Sequence, residues 1–119
     1  WWVLSEARAC GLGTIAKRPL AGRPWRAAAP PADDVHADYC RRFAALCPDL
    51  GFDPGDWDAL ALRFAAWAPG VDCVIVGGTD PGHLERNAAA VAAGPLPPSR
   101  VEAIRAAFKS VGRQWQGRV

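Results

Sequence analysis

The sequence has no methionine, one tyrosine (Tyr39) and two histidines (His36 and His83) in 119 residues. Each scarcity excludes something. None of the four cysteines (Cys10, Cys40, Cys47, Cys73) forms a CxxC pair, and the histidines complete no ligand spacing, so no metal site is expected. The thiols are expected to be reduced and mostly buried, as in a cytoplasmic protein. Charge of one sign is also lacking. A net +2, with no basic run interleaved with aromatics, argues against a nucleic-acid or membrane-surface partner. No stretch is apolar for long enough to span a bilayer, and no signal-peptide pattern opens the chain. The chain begins Trp1-Trp2-Val3-Leu4, which reads as the middle of a helix. That opening and the missing methionine lead us to expect a fragment.

What is present suits a packed α/β chain, half of it apolar. Its centre is the stretch from Val71 to Asn87. Cys73 to Val76 is a continuous, β-branched run expected to form a parallel strand covered on both faces. Gly77 and Gly78 then permit a sharp turn and close approach of a ligand. Thr79-Asp80-Pro81 starts a helix whose unpaired N–H groups and positive dipole end form an anion site. Strand, glycine turn and helix start together are a phosphate-binding pattern, although many such turns bind nothing.

The flanking chain repeats this plan. Trp1 to Cys10 reads as a helix closed by Gly11, and Leu12 to Ala16 as a strand that must stop before Pro19. Ala21 to Asp33 is a long proline- and alanine-rich connection. Trp25 within it is expected to pack the loop onto the body. Val35 to Cys47 is a helix with Val35, Tyr39, Phe43 and Leu46 on one face, capped by Asp33 or Asp34 and ended by Pro48. His36 is expected at its surface. Asp53-Pro54-Gly55-Asp56 is expected to open a helix to Ala68, with a core stripe of Trp57, Leu60, Ala61, Phe64, Trp67 and Ala68. The helix after the glycine turn should run from Pro81 to Ala93, with Leu84, Ala88, Val91 and Ala92 inward. His83 and Asn87 share one of its faces. Ser99 to Glu102 reads as a capping box for a last helix, with Val101, Ile104, Phe108 and Val111 apolar. A polar tail carries Trp115.

Two strands and about five helices result. Two parallel strands do not make an independent sheet. The expected fold class is therefore the C-terminal portion of a larger α/β domain, and partial folding or aggregation is expected for the isolated chain.

GLGTIAKRPLAG (Gly11 to Gly22), DALALRFAAWAPGVDCVIVGGTDPGHLERN (Asp58 to Asn87) and GPLPPSRVEAIRAAF (Gly94 to Phe108) together resemble the C-terminal third of the aldo/keto reductase family. The resemblance implies a (β/α)8 TIM barrel, with Leu12 to Ala16 as its seventh strand and Cys73 to Val76 as its eighth. Residues 1–119 would then be the C-terminal fragment of an NADP-dependent oxidoreductase domain. The loop from Ala21 to Asp33 would cover cofactor or substrate, and the last helix would pack outside the barrel. The resemblance also implies a cofactor site. Arg18, Pro19 and Leu20 match the segment along the pyrophosphate. Lys17 stands where many members carry a tyrosine stacked on the nicotinamide. Gly77, Gly78 and Thr79 match the turn holding the adenosine-side phosphate. His83 matches a glutamine or arginine position, and Asn87 an asparagine that contacts adenine.

The implied activity is reduction of small aldehydes and ketones by a nicotinamide cofactor. NADP is expected on family grounds. NAD is the alternative, because the position of Asp80 or its neighbour is basic in many NADP-preferring members, whereas Thr79-Asp80 is neutral then acidic and a carboxylate repels a 2′-phosphate. The family's catalytic aspartate, tyrosine, lysine and histidine belong to earlier strands, so no catalytic residue is assigned. Tyr39 falls on a peripheral helix, and Lys17 is not the catalytic lysine. The competing reading is a non-catalytic nucleotide-binding or interaction module.

Overall fold

Glycine and proline punctuate the chain, and the elements fall between them. A computed structural model describes residues 2–28, 32 and 34–117. In chain order it holds α1 (Trp2–Ala9), β1 (Ile15–Lys17), a 3₁₀ turn (Pro24–Arg26), α2 (Asp34–Leu46), a second 3₁₀ turn (Cys47–Leu50), α3 (Trp57–Ala66), β2 (Cys73–Ile75), α4 (Pro81–Ala92) and α5 (Pro98–Val111). The chain forms two units. One comprises Trp1–Leu20 and Asp56–Leu96, the other Ala21–Gly55 and Pro97–Val119.

The first unit contains both strands, which pair in parallel with Ile15 opposite Cys73, Ala16 opposite Val74 and Lys17 opposite Ile75. Gly11 ends α1 as expected, in a left-handed conformation (φ +71°). The Leu12 N–H donates to the Ala7 carbonyl (2.9 Å) and the Gly11 N–H to that of Arg8 (3.0 Å), the paired closure of a Schellman motif. β1 begins at Ile15, three residues later than expected, because Thr14 is engaged in joining the strands. Its N–H donates to the Asp72 carboxylate (2.8 Å), its hydroxyl to the Gly70 carbonyl, and the Asp72 N–H donates back to Thr14 Oγ1 (3.2 Å). β1 continues to Lys17 and stops where Arg18 turns to φ +56° before Pro19.

β2 ends at Ile75 and is not buried. Ile15 is 63% and Ile75 56% exposed, and Cys73 is exposed. A two-stranded sheet has too few neighbours to cover both faces, which corrects the expectation of a covered strand. The four thiols are free, as expected, but not mostly buried: Cys10 and Cys73 are exposed and Cys40 and Cys47 half-buried.

Helix starts differ where local geometry overrides pattern. Asp56, not Asp53, caps α3, accepting from the Ala59 N–H (3.0 Å). Asp53 accepts instead from the Gly55 N–H (2.9 Å), and Gly55 at φ +70° cannot enter a right-handed helix. α3 ends at Ala66, two residues short of Ala68. Its one fully buried side chain is Leu62, which the expected stripe omitted, while Trp67 is half exposed with its indole N–H on the Val91 carbonyl (3.0 Å). α3 packs on α4 and β2. Arg63 ties it to the end of α4, donating to the carbonyls of Gly94 (2.8 Å) and Pro95 (2.7 Å). On α4 the buried residue is Asn87, not the expected apolar set: Leu84 is about half exposed, and Ala88 and Ala92 are exposed.

In the second unit α5 has no capping box. Pro98 occupies the first helical position, so Ser99 lies inside the helix, and the Pro97 carbonyl takes the Arg100 N–H (2.9 Å). Its buried residue is Ala107, and Phe108 is half exposed. The expected cap Asp33 of α2 lies outside the described residues. On α2 the expected face is only partly covered: Val35 is exposed, and the buried residue is Asp38, held by Arg42 (2.8 Å). Trp25 packs on Phe43 (centroids 5.7 Å), as expected of a loop anchor.

Candidate functional site

In-register parallel pairing puts the C-terminal ends of β1 and β2 at one edge, so Arg18 and Val76 leave the sheet side by side. In parallel α/β sheets that edge is where ligands bind. Lys17, Arg18, Pro19 and Leu20 leave β1 there, with Leu20 buried. Gly77, Gly78 and Thr79 leave β2 there and are exposed. His83 and Asn87 follow on α4. All these residues belong to the first unit.

The glycine turn is open but unstrained. Neither Gly77 nor Gly78 has positive φ, so the backbone bend does not itself demand glycine. A Cβ on Gly77 would meet nothing within 4 Å, and one on Gly78 would only touch Leu84 Cδ2 at 3.7 Å. What glycine provides is clear space above Gly77. The N–H groups of Gly77, Gly78 and Thr79 have no hydrogen-bond partner among the described residues. Free donors beside a space that a side chain would fill fit an anionic oxygen.

The helix N-terminus does not behave as its sequence suggests. Pro81 has no N–H. The Gly82 N–H donates to Asp80 Oδ1 (2.8 Å). Those of His83 (3.0 Å) and Leu84 (3.4 Å) donate to the Asp80 carbonyl. The start of α4 is thus closed by its own residue, and the available donors lie in the turn before it. Asp80 also stands 3.6 Å from His83 Nδ1 and 3.9 Å from Arg86 Nη2.

Asn87 is buried, and its Nδ2 has no hydrogen-bond partner among the described residues. An unpaired buried amide costs free energy until something satisfies it. Sequence reasoning selected Asn87 as sharing a helix face with His83 but did not expect its burial. It missed the pairing of Arg86 with Asp80, although an aspartate cap followed by His83 and Arg86 was a visible signal. Among the described residues no cluster of histidine, cysteine, aspartate or glutamate could hold a metal ion, and no helix is long and apolar enough to cross a membrane.

Parallel strands joined through helices, with an open donor turn after the second strand, define a βα-repeat protein. The aldo/keto reductase family model matches residues 5–109, and the chain belongs to that family. Its fold is accordingly α/β, and the two parallel strands and five α-helices among the described residues are consistent with a partial barrel. No curated protein and no solved structure matches the chain.

Proposed function

We propose that this chain is the cofactor-binding end of a nicotinamide-dependent oxidoreductase that reduces small aldehydes or ketones. The observation that carries the reading is the Gly77–Thr79 turn: three unpartnered N–H groups beside open space, at the ligand edge of a family member. The dinucleotide, when bound, supplies the hydride. The residues of this chain bind and orient it. The Gly77, Gly78 and Thr79 N–H groups donate to a phosphate, and Arg18 adds positive charge at the adjoining strand end. Lys17, Pro19 and Leu20 complete the β1 side. Asn87 satisfies its amide against the base, and His83 lies between it and the turn. No residue here is assigned to proton transfer, so the catalytic groups come from other strands of a complete barrel. Residues 1–119 are then one part of that domain. The free thiols suit a reducing cytoplasm.

The test is titration of the folded chain with NADH and NADPH, following tryptophan fluorescence with ellipticity as the control. Saturable quenching by either cofactor is expected. A well-folded chain that binds neither removes the cofactor reading and leaves the interaction-module reading ahead.

A further inference from the structure

A side-chain amide that is buried and unpaired needs something to keep it there. Asn87 is 9% exposed, and its Nδ2 has no hydrogen-bond partner among the described residues. The same amide in water would be satisfied, so the free chain is less stable for burying it. Relief lies close by. Arg86 and Ala88, on either side of Asn87, are exposed. Rotating α4 by about a quarter turn would therefore bring the amide into solvent. Few apolar side chains of α4 resist that rotation: Leu84 is about half exposed, and Ala88, Ala89 and Ala92 are exposed.

Directional bonds from α3 do resist it. Arg63 Nε donates to the Gly94 carbonyl (2.8 Å) and Arg63 Nη2 to that of Pro95 (2.7 Å). Trp67, the C-cap residue of α3, donates its indole N–H to the Val91 carbonyl (3.0 Å). Val91 lies one turn beyond Asn87, on the stripe that His83 begins. The planar guanidinium engages two successive carbonyls at once, which fixes an orientation as well as a distance. Three donors on one helix thus hold the carbonyl end of the other and set its rotation.

Resting on the reading of this unit as a cofactor site, we propose that Arg63 and Trp67 are positioning residues. They hold α4 at the rotation that keeps the Asn87 amide dry and unpaired until the ligand takes it up. Neither side chain touches the ligand. Their effect is preorganisation: the amide is desolvated and oriented on folding, so binding does not have to do it. When the hold is lost α4 turns, the binding-competent fraction falls, and the apparent affinity falls in proportion.

The test has two arms. Asn87 is the single asparagine of the chain, so isotope-labelled asparagine gives one side-chain amide signal in magnetic resonance. Its exchange with water is expected to be slow in the original chain. In Arg63→Ala, and in Trp67→Phe, which keeps a ring and loses the N–H, exchange should quicken on the order of tenfold. Unchanged exchange in the folded variants overturns the proposal without reference to any cofactor. The second arm measures NADH and NADPH affinity by calorimetry in the original chain, Arg63→Ala, Asn87→Ala and the double variant. Arg63→Ala should weaken binding about tenfold and add little once Asn87 is replaced, because it acts through Asn87. Equal losses in both backgrounds mean a merely structural role and overturn the proposal, leaving the cofactor reading standing. Trp67→Phe carries both arms should Arg63→Ala not fold. Binding of neither cofactor by the folded original chain overturns the cofactor reading, and with it the purpose assigned to the hold.

Discussion

The two units of the chain use their polar groups in opposite ways. In the first, hydrogen bonds join backbone segments and leave apolar side chains outside. The Thr14–Asp72 bonds start the strand pair, Arg63 holds the end of α4, and Trp67 reaches a carbonyl, yet Trp2, Leu12, Ile15 and Ile75 are exposed. In the second, arginines lie across aromatic rings and shield them. Arg42 stacks on Trp115 (5.5 Å) and Arg100 on Phe52 (3.9 Å), while Phe108 meets Trp115 edge-on (5.8 Å). The unit that bears the candidate site is the one whose sheet has open apolar faces. In the unit without it, cation–π contacts cover Trp115 and Phe52, while Val35 and Phe108 stay exposed. The open faces agree with a sheet designed to sit among further strands, as the family's barrel supplies.

The largest effect expected from breaking this contrast is at Leu62. It is the fully buried side chain of the first unit, where little other apolar burial supports the strands. Leu62→Ala should cost about 2–5 kcal/mol through lost burial and the cavity left behind. Urea unfolding followed by ellipticity measures it. A loss below about 1 kcal/mol would mean the hydrogen bonds, not this side chain, hold the unit.

Arg42 is the corresponding point in the second unit. One guanidinium pairs with Asp38 (2.8 Å), donates to the Gln116 carbonyl (2.9 Å) and covers Trp115. Both partners of the ion pair are largely buried, so removing one leaves the other poorly solvated. Arg42→Ala should cost about 2 kcal/mol. Arg42→Lys should recover only part, because an ammonium cannot fork between two acceptors and lie flat on a ring. Full recovery by lysine would reduce the arrangement to a simple charge pair.

Legibility in the sequence follows the same division. The parallel strands, the Gly11 closure, the breaks at Pro48, Gly94 and Pro95, and the family are local or cumulative signals, and they read correctly. Burial did not. Periodicity shows which residues lie on one helix face but not whether anything covers it, so Leu84 and Trp67 were expected inside. Asp53 and Ser99 carried good capping patterns, but Gly55 and Pro98 set the backbone and moved both starts. The candidate site was legible as positions. That Asp80 consumes the donors of α4 depends on hydrogen-bond geometry, which no motif records.

The smallest effect concerns the thiols, which divide between the units as the apolar groups do. Cys10 and Cys73 of the first unit are exposed, and Cys40 and Cys47 of the second are sheltered. A thiol reagent should therefore label the first pair before the second. Burial pushes the Cys47 thiol above its ordinary value of 9.0. The folded state then holds the proton more tightly than the unfolded chain does. The stability that follows is fully present below pH 9.0 and is lost as pH rises from there to the folded value. Unfolding midpoints should fall over that interval, and Cys47→Ala should flatten the fall whatever it does to the midpoint itself. An unchanged slope would mean that Cys47 is as open to water as the thiols of the first unit, and that the second unit is less well closed there than its aromatic contacts imply.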